Sequence, residues 1–285
     1  MQQKTGLVLE GGGMRGVYTS GVEEYLLQQG IHYPYVVGVS AGASNSCTYI
    51  ARQQGRGRRV NLDYLQDWRY MGLRSLLLKG SYFGLDFLFG DIPEKLDIFD
   101  YETFYSSPGV FRIGATNCLT GAADYFDKHQ VTKGLKHLKA SCSLPLLSPV
   151  VEIDGIPYLD GGIADPIPVR KALADGCTHV VVVLTQPPGY RKTPGSSGAS
   201  RLYRAVFRRY PRLVAALENR HALYNETVEF VEALERRGQA TLIRPDGSLK
   251  LDRFEKDPAV LGQLFDMGYR DAARYGQRLA ETFSA

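Results

Sequence analysis

The sequence predicts a three-layer α/β/α sandwich with a mainly parallel central sheet, followed by a mostly helical C-terminal extension. Three observations support this fold class. Short apolar runs alternate with helical patterns over the first half of the chain, which is typical of strands joined by crossover helices. The run HVVVV at 179–183 is uniformly apolar, as expected for a strand covered on both faces. Glycine-rich turns separate the first two apolar runs from the helical patterns that follow them.

The predicted elements follow one another in a regular order. Residues 149–162 are predicted to form a hairpin, because Asp154-Gly155 is a favoured two-residue turn. Residues 61–107 are rich in aromatic residues and glycine, and we interpret them as an insertion or cover rather than as part of the sheet. Further strands are predicted at 6–10, 33–39, 109–119, 122–128 and 179–186, and helices at 15–30, 41–55, 131–144 and 168–176.

We expect two parts in the chain. Residues 6–175 form the predicted α/β domain, whose last core strand continues to about residue 187. The segment PPGYRKTPGSSGAS (187–200) has the composition of a linker or mobile loop. Residues 188–285 then form the mostly helical C-terminal extension, with one short strand candidate at ATLIRP (240–245).

The composition argues against several classes of protein. The 285 residues carry a net charge of +4, which is too small to indicate a nucleic-acid partner. The four cysteines are widely spaced, so neither a metal site nor a disulfide framework is predicted. A strand begins close to the N-terminus, and no apolar run approaches the roughly 18 residues of a membrane span. We therefore expect a cytoplasmic protein without a signal peptide, which would contact a membrane only from its surface.

A glycine-rich turn within VLEGGGMRGVYTSG (8–21) follows the first predicted strand. Gly11, Gly13 and Gly16 form a G-x-G-x-x-G pattern, whose free amides can hold either a pyrophosphate or the oxyanion of a reacting ester. A dinucleotide site also needs an acidic residue about 20 positions further on. No Asp or Glu follows Glu24 until Asp63. The sequence therefore favours the oxyanion role, with phosphate binding as the alternative.

The second predicted strand ends in GVSAG (38–42), which has the pattern of a nucleophile elbow. The serine of an elbow lies on a strained turn at a helix N-terminus, where the helix dipole favours developing negative charge. Gly38 and Gly42 leave room for the strand and the helix to approach closely. Ser40 is therefore the candidate nucleophile, and a turn with a purely structural serine is the alternative.

A reactive serine needs a base to accept its proton, and none of the histidines is well placed for that role. Asp160, by contrast, ends an apolar strand, and Gly161 and Gly162 allow its carboxylate to approach another backbone closely. A carboxylate in direct contact can act as a general base without an imidazole. The alternative is an ordinary Asp-Gly turn. The five histidines are His32, His129, His137, His179 and His221.

These motifs resemble those of the patatin-like phospholipases. GGGMRG (11–16), GVSAG (38–42) and DGG (160–162) occur in the order of that family, and ASCSLPLLSPV (140–150) is also similar to the family's pattern. The resemblance covers residues 6–175, and the extension resembles one carried by some bacterial members. It implies that Ser40 and Asp160 form a catalytic dyad. It further implies an oxyanion hole of Gly11, Gly12 and Gly13 with Arg15 nearby, supported by turns at Gly16, Gly38, Gly42, Gly161 and Gly162.

The predicted function is therefore that of a serine lipid acyl hydrolase, similar to a phospholipase A or a lysophospholipase. Such an enzyme cleaves fatty-acyl esters through an acyl-serine intermediate and needs neither a metal nor another cofactor. Two alternatives remain open. The same dyad would serve an acyltransferase or a thioesterase, and the same fold would serve a non-catalytic regulator that binds a lipid or a protein.

A basic segment near residue 200 is a candidate for peripheral membrane contact. Between Gly176 and Leu217 there is no acidic residue. On a helical wheel, apolar and aromatic side chains share one face and arginines share the other, as in helices that lie on anionic membranes. The alternative, which we favour, is a helix packed on the domain with a solvated basic face, kinked or restarted at Pro211. The arginines are Arg201, Arg204, Arg208 and Arg212.

Overall fold

The computed structural model describes residues 4–284, within which eight strands form one mixed sheet. The strands are β1 (Thr5–Leu9), β2 (Tyr35–Val39), β3 (Val110–Asn117), β4 (Ala123–Asp127), β5 (Val151–Ile153), β6 (Ile156–Asp160), β7 (His179–Val183) and β8 (Ala240–Ile243). Their order is β5-β6-β3-β2-β1-β7-β8, and β4 pairs with β3 as well. The pairs from β3 through β2, β1 and β7 to β8 are parallel. The prediction about the start of the chain concerns residues 1–3, which lie outside the described part.

The helices flank this sheet, so the predicted α/β/α class is confirmed. Apolar residues of the strands alternate between two cores: Leu7 and Leu9 point into one, and Val8 points into the other. The helices are α1 (Val17–Gln28), α2 (Ala41–Ile50), α3 (Arg56–Arg58), α4 (Leu73–Lys79), α5 (Tyr101–Ser106), α6 (Lys136–Ser141), α7 (Val169–Ala174), α8 (Ser197–Val206), α9 (Pro211–Arg236), α10 (Pro258–Arg274) and α11 (Gly276–Ser284).

The local predictions are confirmed in some places and wrong in others. The hairpin turns at Asp154 and Gly155, whose φ angles of 51° and 77° fit the predicted two-residue turn. The predicted helix at 131–144 is too long, since only α6 forms. Gly134 and Leu135 both have positive φ, so no helix can run through them.

The cover predicted at 61–107 also forms as expected. It contains the helices α4 and α5, the wide helical turns Arg59–Asp63 and Phe87–Leu96, and a single bridge between Met71 and Phe83. It contributes no strand to the sheet within the described residues. The cover lies over the same core as α1 and α2, with Phe83 and Phe89 among its buried side chains.

The C-terminal part is joined to the sheet more closely than the sequence indicates. The short strand candidate at 240–245 forms β8, but the expectation that the sheet ends near residue 187 is wrong, because β8 continues the sheet in parallel with β7. Helix α10 packs on α1 through Gly21 and Gly268. A Cβ atom at either glycine would come within 2.1 Å of a carbonyl oxygen on the facing helix, so no larger residue fits there.

The basic segment is divided between two helices, and Pro211 begins the second, so the predicted restart at this proline is confirmed. Phe207, Val214 and Leu217 are buried in a cluster that also contains Leu159 of β6. The apolar side chains of the predicted wheel therefore face the protein.

No helix among residues 4–284 is long and apolar enough to cross a membrane.

The topology brings the ends of two strands together on β3. Strand β2 pairs with β3 up to Gly114, which lies opposite Val39. Strand β6 runs the other way and reaches the next residue, Ala115, which lies opposite Asp160. The residue after β2 is Ser40. The two strands thus end head to head, and the side chains at their ends can meet.

Candidate active site

Ser40 lies on a strained turn between β2 and α2. Its backbone has φ 53° and ψ −127°, a conformation that non-glycine residues rarely adopt and that is often found at functional sites. The glycines on both sides permit the turn. A Cβ atom at Gly42 would lie 2.6 Å from the Leu9 carbonyl oxygen, and one at Gly38 would lie 2.7 Å from the Ala43 nitrogen. The local geometry is therefore that of the predicted elbow.

The structure brings Ser40 and Asp160 into direct contact. The Ser40 hydroxyl donates a hydrogen bond of 2.6 Å to Oδ2 of Asp160. The other carboxylate oxygen accepts the Gly162 amide at 2.9 Å, which fixes the plane of the carboxylate. Ser40 is 7% exposed and Asp160 is 2% exposed, so the pair is nearly shielded from bulk water. A short hydrogen bond between a serine and a buried carboxylate is the geometry that direct proton transfer requires.

Residues 140–150 form hydrogen bonds with the backbone amides of both Ser40 and Asp160. The Ser141 hydroxyl accepts the Ser40 amide at 2.9 Å and donates to the Gly114 carbonyl at 2.6 Å. The Ser143 carbonyl accepts the Asp160 amide at 2.8 Å. This segment was singled out in the sequence only through its resemblance to a family pattern. Its physical role is to fix the backbones of the two facing residues.

Burial raises the pKa of the Asp160 carboxyl above its ordinary value. The positive charge of Arg220, the hydrogen bond from Ser40 and the Gly162 amide all act in the opposite direction. A base with a raised pKa holds a proton more firmly, so the carboxylate is a stronger acceptor for the serine proton than an exposed aspartate would be.

The glycine-rich turn lines the same cavity as Ser40. Two of its neighbouring amides are already used: Gly11 donates to the Pro166 carbonyl at 3.3 Å, and Met14 donates to the Arg253 carbonyl at 3.0 Å. The amides of Gly12 and Gly13 have no acceptor within residues 4–284. The Gly11 amide is therefore engaged by Pro166 in this structure, and the oxyanion role of the glycine turn stays a prediction.

The other predicted residues of this turn lie next to the elbow. A Cβ atom at Gly16 would come within 2.6 Å of the Ala41 side chain, so the turn and α2 are in close contact. Arg15 lines the cavity, and its buried Nε has no hydrogen-bond partner in the part of the chain that the structure describes. On the other side of the site, a Cβ atom at Gly161 would lie 2.2 Å from the Gly114 carbonyl oxygen.

The cavity has a polar end and an apolar end. Ser40, Asp160 and the glycine turn lie at the polar end. Eleven of the other lining residues are apolar or aromatic side chains from the cover and from α6 with its flanks. An acyl chain is the kind of group that such a wall accepts. These side chains are Val60, Tyr70, Phe83, Leu85, Leu88, Phe89, Pro93, Phe99, Leu135, Leu138 and Leu144.

The histidines lie elsewhere, as the sequence predicted. All five fall within the described residues, and none of them lines this cavity. His179 begins β7 at the amino edge of the sheet, where its Nε2 lies 3.2 Å from the Thr241 hydroxyl. His137 packs edge-on against Phe126. Burial lowers the pKa of both imidazoles, which is consistent with neutral packing residues.

Comparison with known proteins identifies the family. The model of the patatin-like phospholipase family matches residues 7–173. The chain belongs to this family. It is 32% identical over 194 residues to the uncharacterized protein YjjU of Escherichia coli, an alignment covering 66% of this chain and 54% of YjjU. It is 27% identical over 192 residues to the lysophospholipase NTE1 of Saccharomyces cerevisiae, covering 64% of this chain and 11% of NTE1.

This patatin-like chain therefore spans about half the length of YjjU and a small part of NTE1. A second family, Domain of unknown function (DUF6363), matches residues 210–284. Among solved structures, that of VipD from Legionella pneumophila is similar with a TM-score of 0.48 and 13% identity. The similarity covers 99% of this chain and 67% of the VipD chain.

Three cationic residues beyond the patatin-like segment reach the site, and sequence reasoning missed them. Lys192, Arg220 and Arg253 all line the cavity that contains Ser40. The Arg220 guanidinium donates from Nε to the Gly162 carbonyl at 2.7 Å, next to the dyad aspartate. They belong to two loops and a helix with no recognisable motif. The excess of basic residues between Gly176 and Leu217 includes Lys192 but neither Arg220 nor Arg253.

Proposed function

We propose that this protein is a serine lipid acyl hydrolase in which Ser40 attacks a fatty-acyl ester and Asp160 accepts its proton. The observation that carries the proposal is the 2.6 Å hydrogen bond from Ser40 to Asp160, buried at the polar end of a mainly apolar cavity. Membership in the patatin-like phospholipase family supports a lipid hydrolase. The relative NTE1, named a lysophospholipase, supports esters of lysophospholipids as one substrate class.

In the first half of the reaction, an ester carbonyl lies above Ser40. The Ser40 proton moves to Asp160 as Oγ bonds to the carbonyl carbon, and the carbonyl oxygen becomes an oxyanion. Collapse of this tetrahedral intermediate breaks the bond to the alcohol oxygen, which takes the proton from Asp160 and leaves. The products of this half are the alcohol and an acyl-Ser40 ester.

In the second half, water replaces the alcohol. Asp160 accepts a proton from the water as the water oxygen attacks the acyl carbon. This attack generates a second oxyanion. Collapse of this intermediate returns the proton to Ser40 Oγ and releases the fatty acid. An acyl acceptor other than water would make the same site a transferase or would support thioester cleavage, so the acceptor is the point that experiment must decide.

We assign the stabilisation of the oxyanion to the amides of Gly12 and Gly13. Both line the cavity next to Ser40 and lack another acceptor within the described residues. The amide of Ala41, at the first position of α2, adds a third candidate donor, since the first amides of a helix have no intrahelical partner. Preorganised amides of this kind typically contribute about 10²- to 10³-fold to turnover.

A fluorophosphonate probe tests the proposal, because it reacts only with an activated serine. We expect wild-type protein to be labelled at Ser40, and the Ser40→Ala variant to remain unlabelled. Ser44→Ala is the matched control, since Ser44 also lines the cavity and its loss should leave labelling intact. Labelled protein should hydrolyse a short-chain ester with release of free fatty acid. A wild-type protein that is neither labelled nor active would instead be a binding protein on this fold.

A further inference from the structure

Five positively charged side chains of the described residues line the cavity, and one of them, Arg56, pairs with Asp97, which leaves four. Arg15 comes from the glycine-rich turn, and Lys192, Arg220 and Arg253 come from the C-terminal part. None of the four forms an ion pair with a carboxylate within residues 4–284. Cations that line a cavity without a paired carboxylate are a candidate binding site for an anion.

Each of the three C-terminal residues is held in position by contacts that leave charged donors free. The backbone of Lys192 is fixed by Asn225, which accepts its amide at 2.8 Å and donates to its carbonyl at 3.0 Å. The Lys192 ammonium lies 3.8 Å from the centre of the Tyr224 ring. Arg220 uses its Nε on Gly162, and the Arg253 carbonyl accepts the Met14 amide.

Keeping these charges together carries an electrostatic cost. Burial lowers the pKa of Lys192 to about 7, and the neighbouring positive charge of Arg220 adds to the effect. The pKa of Arg220 is lowered mainly by burial as well. The nearby carboxylates do not relieve this cost fully. Asp160 is engaged by Ser40 and Gly162, and the buried Glu10 accepts the Thr185 amide at 2.6 Å.

The chemistry of the cavity indicates which anion fits. The apolar wall accepts an acyl chain, and the free amides of Gly12 and Gly13 accept the oxyanion of its ester. The cations lie close to Asp160 rather than among the apolar side chains, so the alcohol side of the ester is the part of the substrate within their reach. In acyl glycerophospholipids, the charged group in that position is a phosphate. Arginine matches phosphate through paired N–H donors, and lysine binds it as a point charge.

We propose that Lys192, Arg220 and Arg253 form a headgroup subsite, which binds the phosphate of an acyl glycerophosphate substrate. The inference rests on the proposed function, since it places the ester of the same substrate at Ser40. The substrate class is then a phospholipid or lysophospholipid rather than a neutral acylglycerol. The C-terminal part would supply substrate selection to a dyad that lies in the patatin-like segment.

Paired substrates test the subsite. We would compare kcat/KM for a short-chain acyl glycerophosphocholine and for the acylglycerol with the same chain, both below their micelle concentrations. Wild type should prefer the phosphate-bearing ester. Lys192→Met and Arg253→Met should each lower this preference about ten- to a hundredfold, mainly through KM. Arg191→Gln is the matched control, because Arg191 pairs with Glu232 outside the cavity, and it should keep the preference. A preference unchanged in both variants would overturn the subsite.

A second measurement separates failure of the subsite from failure of the proposed function. Fluorophosphonate labelling of Ser40 reports the function alone. Labelled, active protein without any preference for phosphate would refute the subsite and leave the function standing. If labelling fails, binding decides: glycerol 3-phosphate should raise the Tm of wild type but not of Lys192→Met. Absence of that shift refutes the subsite, and an equal shift with inorganic phosphate indicates free phosphate rather than a lipid headgroup.

Discussion

The patatin-like segment and the C-terminal part contribute to the same cavity in different ways. In the patatin-like segment, Ser40, Asp160 and Gly12 are placed by the backbone, on turns at the ends of strands. In the C-terminal part, Lys192 and Arg220 reach the cavity through long side chains from a loop and a helix. Groups placed by tight turns require glycines at fixed spacing and therefore leave motifs. Groups placed by long side chains leave none.

The largest expected effect concerns the backbone-placed dyad. Asp160→Asn keeps the size of the side chain but cannot accept the serine proton, so turnover should fall about 10³-fold or more, as for Ser40→Ala. The double variant should be little worse than either single variant, because residues that act as a unit are strongly non-additive. Steady-state hydrolysis by the purified proteins measures this. Independent, multiplicative losses would show that the two residues do not act together.

The control for this experiment is His179→Gln, which should retain most turnover because His179 lies at the far edge of the sheet. Substitution is needed because a pH profile cannot identify the base. Burial raises the pKa of Asp160 above its ordinary value, so loss of activity in acid does not by itself distinguish a carboxylate from an imidazole. A folded His179→Gln protein as impaired as Asp160→Asn would replace the dyad with a triad.

A smaller but still large effect is expected at the glycine-rich turn. In Gly12→Val, the new Cβ atom would lie 2.8 Å from the Thr185 hydroxyl, so the turn must shift. Its amides would then no longer point at the oxyanion. Turnover should fall about 10²- to 10³-fold with KM changed much less. Gly262→Val is the matched control, since a Cβ atom at Gly262 in α10 meets nothing within 4 Å. Equal activity of the two variants would remove this turn from the mechanism.

The sequence predicted the parts of the site that depend on local backbone geometry. The elbow at Ser40, the glycine turn and the strand ending at Asp160 all follow from short patterns of apolar residues and glycine. The contact between the two dyad residues did not follow from those patterns. It depends on β2 and β6 ending on neighbouring residues of β3, a pairing between segments 120 positions apart in the chain.

The C-terminal contribution was missed for a different physical reason. Strand β8 has only four residues, too few for its apolar period to show how it pairs. Arg220 lies within the 26-residue helix α9, where a single arginine facing inward looks the same in sequence as one facing solvent. Its partner is the backbone carbonyl of Gly162, and a carbonyl leaves no sequence signal at all.

Asp160→Asn should increase the stability of the fold although it lowers activity. The pKa of Asp160 is raised in the folded protein, so the folded state favours its protonated form, and its ionisation near neutral pH destabilises the fold. Asp160→Asn removes that charge and should raise the free energy of unfolding at pH 7. The gain should shrink as pH falls through the raised pKa towards the ordinary value near 3.9. Urea unfolding at several pH values measures it, and an Asn variant that is less stable at pH 7 would contradict it.

The smallest effect is expected for the surface arginines of the C-terminal part, in contrast to its cavity cations. Arg201 and Arg208 are exposed, but Phe207, Val214 and Leu217 from the same segment are buried in the protein. Stable binding of a helix to a membrane surface needs buried apolar area in addition to charge. A double Arg201→Glu, Arg208→Glu variant should therefore sediment with anionic vesicles at physiological salt to the same extent as wild type.

The matched control for that experiment is the double variant Arg236→Glu, Arg237→Glu, which makes the same charge change at the far end of α9, where both residues are exposed. Comparing the two variants separates a local contact from a general effect of net charge. If vesicle binding requires anionic lipid and only the Arg201 and Arg208 variant loses it, this segment is a membrane contact after all. Equal sedimentation of all three proteins would confine the functional cations of the C-terminal part to the cavity that Lys192 and Arg253 line.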